Sequence, residues 1–328
     1  MKKFIGKALL SAALVSVLPQ IAHARLLSPV VDRTAPAETG FDPGHLPFTI
    51  TLRDDLVVNL ETFAVFAKPG EEIHIRADRP LSWRDGETSR EAATDLDWTA
   101  PATPGLTQVQ LDDGEGHIMT LNLVVMQSHA PDDGETINGY LLGSYPSEPY
   151  RGHENYRAPE NFLEVTDGLE DLAVSPHFRL GQFLCKQPAD GNQYLVLSER
   201  LLVKLEGILE AANERGWKAD TFTVMSGYRT PAYNASIGNG RHSRHIYGGA
   251  ADIFIDANND GVMDDLNGDG VHDRRDAAAL FDLVDSLSHN APQFTPLIGG
   301  LGEYPPTSNH GPFVHVDERG WRARWGRG

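Results

Sequence analysis

A carboxylate in the middle of an apolar run constrains this chain more than any other feature. Asp252 stands within Ala250-Ala251-Asp252-Ile253-Phe254-Ile255, a stretch that reads as a buried strand. A lone carboxylate buried there costs on the order of several kcal/mol unless a cation faces it. His245 lies just upstream in Ser243-Arg244-His245, and Gly248-Gly249 permit the tight backbone that returns the chain to one point. A second apolar run, Pro312-Phe313-Val314-His315-Val316-Asp317, carries another imidazole. The whole reads S-x-H-x-x-G-x-A-x-D followed by a distant H-V-D. Two imidazoles and one carboxylate are what a catalytic zinc takes, with a fourth position open for water.

The start of the chain has the form of a secretory signal over residues 1–24. Lys2, Lys3 and Lys7 precede the apolar run Ala8 to Leu18, and Ala22-His23-Ala24 offers a small-x-small cleavage site. That run is too short to span a bilayer, which takes roughly 20 residues. The expectation is an exported protein, periplasmic or secreted, with no membrane span. The formal net charge of −18 opposes non-specific binding to nucleic acid or to anionic membranes. The single cysteine, Cys185, rules out an internal disulfide, and its neighbours Phe183 and Leu184 favour burial.

Beyond the signal, about 300 residues suffice for two domains. Residues 25–46 are rich in Pro, Ala, Asp and Gly and read as a linker. Residues 47–127 carry short period-two runs such as Phe48–Leu52, Gln108–Leu111 and Met119–Val125, separated by Pro69-Gly70, Pro104-Gly105 and Asp112-Asp113-Gly114. This spacing predicts a small all-β sandwich of immunoglobulin-like type, with Trp98 in its core. Residues 128–165 read as an ordered linker draped over the second domain. From 166 to 328 the pattern becomes α+β. Leu201, Leu202, Leu205, Ile208, Leu209 and Ala212 predict a helix between Ser198 and Gly216, and Asp276 to Leu287 predicts another. Phe222–Met225, Ala250–Ile255 and Gly311–Val316 read as strands.

These motifs resemble the zinc D-Ala-D-Ala carboxypeptidase and murein endopeptidase family, related to lysostaphin-type enzymes and the hedgehog signalling domain. The resemblance covers roughly residues 170–328. It implies a small antiparallel sheet with flanking helices, and His245, Asp252 and His315 as zinc ligands. It also implies that Arg229, in Ser226-Gly227-Tyr228-Arg229, holds the substrate carbonyl or carboxylate or stabilises an oxyanion. Ser175-Pro176-His177-Phe178 resembles the opening of the domain in periplasmic relatives, which makes His177 a structural residue. The chain departs from the pattern at one place. Relatives carry Glu or Asp three residues before the last histidine, and here that position is Pro312. Candidates for the proton-moving group are His310, Asp317, which shares a strand face with His315 and could instead orient it, and Glu303.

Residues 256–276 form an acidic loop. Asp256, Asn258 and Asp260 are followed by Asp265, Asn267, Asp269, Asp273 and Asp276, with Gly261 and Gly270 at the sixth place of each copy. Alternating Asp/Asn of this kind resembles the calcium loops of EF-hands and dockerins, so bound calcium is expected beside the zinc. Together the resemblance and the signal imply a zinc peptidase acting on peptidoglycan peptides as endopeptidase or carboxypeptidase. The alternative is a non-catalytic envelope binding module.

Overall fold

The computed structural model describes residues 40–86 and 88–327. The expected signal peptide and most of the first linker lie outside the described residues. From Phe41 onward the chain packs as one compact unit.

The first part is β-rich, as the alternating runs predict. Its main strands are β1 (His45–Leu52), β2 (Leu56–Leu60), β3 (Thr62–Ala67), β4 (Ile75–Asp85), β5 (Thr88–Asp95), β6 (Gly105–Asp112) and β7 (Ile118–Val125). In β1, Phe48, Ile50 and Leu52 are fully buried, while the residues between them are only half-buried. Hydrogen bonding joins the strands in the order β2-β1-β4-β6-β7-β3, with β5 on the outer part of β4. β3 runs parallel to β7, and the other pairs are antiparallel. Trp98 is buried in the core, as expected. Cys185 is buried too, in the second part.

The second part is mixed α/β. Helix α1 (Glu199–Glu214) buries Leu201, Leu202, Leu205, Ile208 and Leu209. Short helix α2 (Pro231–Ser236) is capped by the Thr230 hydroxyl, and α3 (Arg274–Asn290) by Asp273. The sheet comprises β8 (Thr223–Ser226), β9 (Ala250–Phe254), β10 (Gly300–Tyr304), β11 (Phe313–Asp317) and β12 (Ala323–Trp325), in the order β8-β9-β11-β10-β12. It is antiparallel except for the β10–β12 pair. α3 packs on β10 and β11 and against α1. The opposite face is left for the site. On it the register aligns one residue from each strand in a row: Ser226, Asp252, His315, Gly302 and Trp325.

One continuous hydrophobic core runs through both parts. Arg53 ties them together at the first turn of α1, donating to Glu199 at 2.6 Å, to Glu71 at 2.9 Å and to the Phe66 carbonyl at 2.7 Å. Glu199 in turn accepts the Phe66 N–H at 2.8 Å. The segment between the parts forms a strap: Arg244 bonds the Asn155 carbonyl and lies over the Tyr156 ring at 4.6 Å, and His153 stacks on Trp321 at 4.4 Å.

Candidate metal centre and its cleft

His245 projects from a single 3-10 turn, Arg244–Tyr247, which Gly248 closes in the left-handed region at φ 66. A side chain at Gly248 would run into the Val196 carbonyl, so the turn needs glycine there. Asp252 and His315 are direct cross-strand partners on β9 and β11.

The three side chains meet at their polar tips. His245 Nε2 lies 3.2 Å from Asp252 Oδ1 and 3.1 Å from His315 Nδ1, and His315 Nδ1 lies 2.9 Å from Asp252 Oδ1. The outward nitrogens are engaged elsewhere. His245 Nδ1 is 2.7 Å from the Gly227 carbonyl, and His315 Nε2 is 3.0 Å from Asp317 Oδ2. A carbonyl and a carboxylate only accept, so both outward nitrogens donate. With the rings neutral, two imidazole lone pairs and a carboxylate oxygen therefore converge with no donor among them. Ligands at about 2.0–2.1 Å from a tetrahedral zinc stand about 3.3 Å apart, close to the triangle formed here. The donor set thus fits zinc in both chemistry and spacing.

Burial and neighbours act on these groups in opposite senses. Burial disfavours the Asp252 charge, yet the His245 and His315 imidazoles hold its carboxyl well below the usual range. Burial lowers His245 despite Asp252. For His315, burial is outweighed by Asp252 and Asp317 on its two sides, and its pKa is raised.

Arg229 lies in the turn after β8. Its Nε donates to the Ser226 hydroxyl at 2.7 Å, and its Nη2 bonds Asp252 Oδ2. The guanidinium thus holds the far oxygen of the aspartate whose near oxygen joins the triangle. Asp317 shares the strand face of His315 but is fully buried. Its oxygens accept from His315, from the Gly300 N–H at 2.7 Å and from the Arg319 guanidinium at 2.9–3.0 Å. Glu303 pairs with Val314 rather than with His315, so it points to the helix-covered face, where Arg274 and Arg327 bind it. His310 lines the cleft half-buried. Its Nδ1 is bonded to the Gly311 carbonyl at 2.7 Å, which leaves the lone pair on Nε2. His177 stands apart from the triad, bonded to Glu206 at 2.7 Å and stacked on Phe41.

The triangle forms the floor of a cleft of about 1010 Å3. Among the described residues lining it, Asp252 is the one carboxylate. The strap contributes Tyr150 and Tyr156 to one wall. No residue of β1 to β7 reaches it; two cavities of about 540 and 580 Å3 beside those strands lie away from the triad. The lining roles of Tyr150, Lys186 and Arg241 were not readable from the sequence, where no periodicity or motif marks them; His242 and Arg244, which flank the S-x-H motif and read there as either substrate-facing or a solvated loop face, do line the cleft.

The acidic loop turns its side chains onto its own backbone. Asp265 accepts from Gly268, Asp269 and Gly270, and Asp256 from Asp260 and Gly261. Asn258 accepts from the Asp260 N–H, Asn267 from Asp269, Asp260 from Val262 and Asp269 from Val271. Asp276 accepts from Leu266, Asn267 and Asp273, and Asp273 caps α3. Among the described residues, the His/Cys/Asp/Glu groups that gather three ligand atoms are His245, Asp252 and His315, and Asp113, Glu115 and His117 in the β6–β7 turn. The loop supplies neither, so the expected calcium gains no support. No described helix is long and apolar enough to cross a membrane.

Residues 176–267 match the model of the family Peptidase M15. The match spans Arg229, His245 and Asp252 and ends before His315, which the sheet register adds. No curated protein matches the chain. The match supports the zinc D-Ala-D-Ala carboxypeptidase type of metallopeptidase that the sequence motifs resemble.

Proposed function

We propose that this chain, a metallopeptidase by its M15 segment, hydrolyses peptide bonds in peptidoglycan stem peptides or cross-links, outside the cytoplasm after loss of its signal peptide. The convergence of His245 Nε2, Asp252 Oδ1 and His315 Nδ1 in an open cleft carries the reading. Zinc held by these three residues would supply Lewis acidity for a peptide carbonyl and would lower the pKa of a water toward neutrality.

The chain's own groups then divide the remaining work. Arg229 fixes Asp252 through Oδ2 and keeps Oδ1 turned to the other ligands. From the cleft wall its guanidinium also meets a substrate carbonyl, as the family resemblance implies. Asp317 orients His315 through Nε2 and does not carry the reaction's proton, because its oxygens are buried and fully engaged. His310, which lines the cleft and keeps a lone pair on Nε2, takes that part in place of the carboxylate that Pro312 displaces. The β-rich part is an immunoglobulin-like module that braces α1. Calcium has no part in this reading.

The test is digestion of purified sacculi by zinc-loaded protein beside His245→Ala, with released muropeptides separated by chromatography. Loss of cross-linked or terminal-residue species with the intact protein alone supports the peptidase. No change at any zinc loading favours the second reading, a binding module, to which the cleft's lack of a second carboxylate points.

A further inference from the structure

Trp325 ends the last strand of the second sheet and stands against one of the three converging side chains. β12 pairs in parallel with β10, and the register sets Trp325 beside Gly302, which on its other side faces His315. Gly302 carries no side chain, so the indole reaches across β10 to the imidazole. The two ring centres lie 5.1 Å apart at an angle of 49°. A Cβ built on Gly302 would run into the indole. Gly302 does not adopt a left-handed backbone conformation, so the indole, and not the backbone, requires glycine there.

The same indole meets the group that supports His315 from behind. Arg319 binds Asp317, and its guanidinium carbon lies 5.1 Å from the Trp325 ring centre. Asp317 in turn accepts from His315 Nε2 at 3.0 Å. Trp325 Nε1 donates to the Tyr304 hydroxyl at 3.0 Å, so the polar atom of the ring is satisfied while its face receives the cation. His315 and Asp317 are buried, whereas Trp325 is half-buried and lines the cleft. The indole therefore stands at the border between the open cleft and the Asp317–His315 hydrogen bond. Such a bond is stronger in a low-dielectric setting than where water competes for it.

The geometry points to Trp325 as a positioning residue of the metal centre: its indole keeps water from the Asp317–His315 hydrogen bond and holds Nδ1 of that ring toward Asp252 and His245. It acts through His315 and not on a substrate. The inference rests on the zinc reading of the triangle and is independent of which peptide the protein cleaves. Trp325 lies well beyond the matched stretch 176–267, so the final strand of the sheet completes the centre. Loss of a hydrogen-bond partner of a ligating histidine costs about 10–100-fold in metal affinity, and the shell around a site governs its solvent access. Removing the indole exposes such a partner without deleting it, which places the expected effect at about tenfold, the lower end of that range.

The experiment measures zinc affinity by competition with a chromophoric chelator and records the visible spectrum of the cobalt(II)-loaded protein. Wild type is compared with Trp325→Ala, Trp325→Phe, Gly302→Ala and the double variant Gly302→Ala/Trp325→Ala. Trp325→Ala should weaken zinc binding by about tenfold and shift the cobalt bands, while Trp325→Phe, which keeps a ring against His315, should stay within about threefold of wild type. Gly302→Ala displaces the indole without removing it and should reproduce the loss. In the double variant the added methyl enters vacated space, so its affinity should equal that of Trp325→Ala and the two losses should not add. Unchanged affinity and cobalt bands in Trp325→Ala and Gly302→Ala, or losses that add in the double variant, overturn the proposal. Should Trp325→Ala fail to fold, Gly302→Ala against Trp325→Phe decides by the same criterion. A wild type that takes up no zinc refutes the metal centre itself, and the proposal falls with it.

Discussion

Asp317 Oδ2 lies 3.0 Å from His315 Nε2, two residues away on the same strand, while Nδ1 of that ring faces Asp252 at 2.9 Å. One carboxylate therefore holds the back of the ring and another meets its front. The arrangement fixes which nitrogen keeps a lone pair for the metal. Replacing Asp317 by Asn should weaken zinc binding by about 10–100-fold, read by competition with a chromophoric chelator. Unchanged zinc affinity would remove Asp317 from this role.

His310 is expected to matter for turnover and not for metal content. His310→Ala should lower kcat by about 10²–10⁴, with zinc still bound stoichiometrically. A fall of less than about tenfold would show that another group moves the proton.

Lys204 gives a pH signature of folding. It is buried on α1, and its ammonium donates to the Asp317 carbonyl at 2.6 Å. Burial pushes its pKa down from 10.5 to about 8, with Asp317 partly offsetting this. Below about pH 8 both folded and unfolded chains carry the proton, and the folded state bears the full penalty of the buried charge. Between about 8 and 10.5 the unfolded chain binds more protons, so this residue's contribution improves as pH rises. Wild-type stability should therefore gain on Lys204→Met by on the order of 2–3 kcal/mol from pH 7 to pH 10 in denaturant titrations. A difference that stays flat over this range would mean that Lys204 is not perturbed.

Arg53 should act on stability without touching catalysis. It bridges Glu71, Glu199 and the Phe66 carbonyl between the β-rich part and α1, and no residue of that part lines the cleft. Arg53→Ala should cost about 1–3 kcal/mol in equilibrium unfolding and leave kcat/KM within about twofold. A large loss of activity at full folding would mean that the two parts communicate.

The metal centre was legible because its chemistry conflicts with its surroundings. A carboxylate among Ala251, Ile253 and Phe254 and a histidine between Val314 and Val316 have to be matched to something. The helix over Glu199–Glu214 and three of the five strands of the second sheet followed from periodicity, to within about three residues, while Gly300–Tyr304 and Ala323–Trp325 did not. What periodicity could not give was the partner of each polar group. Arg229 read as a substrate-facing cation, and only the register that sets Ser226 beside Asp252 shows where its guanidinium binds. Glu303 read as a candidate base until its strand position turned it to the helices. The acidic loop repeats the spacing of a cation site, yet the same Asp and Asn spacing also suits tight turns that cap backbone amides. Tyr150 and Tyr156 sit in a segment without regular repeat. Their contacts with His242 and Trp321 join residues about a hundred or more positions apart, a pairing no local pattern encodes.

The strap has a practical meaning for anyone who wishes to move this activity to another protein. The matched stretch 176–267 begins after Tyr150 and Tyr156 and ends before His315. A fragment cut at those borders would export an incomplete ligand set and an open-sided cleft. Tyr156 is sealed in place by Arg244 and packs on Trp321 near the other end of the chain. The smallest portable unit is therefore set by an aromatic clasp and extends well past both ends of the recognisable motif.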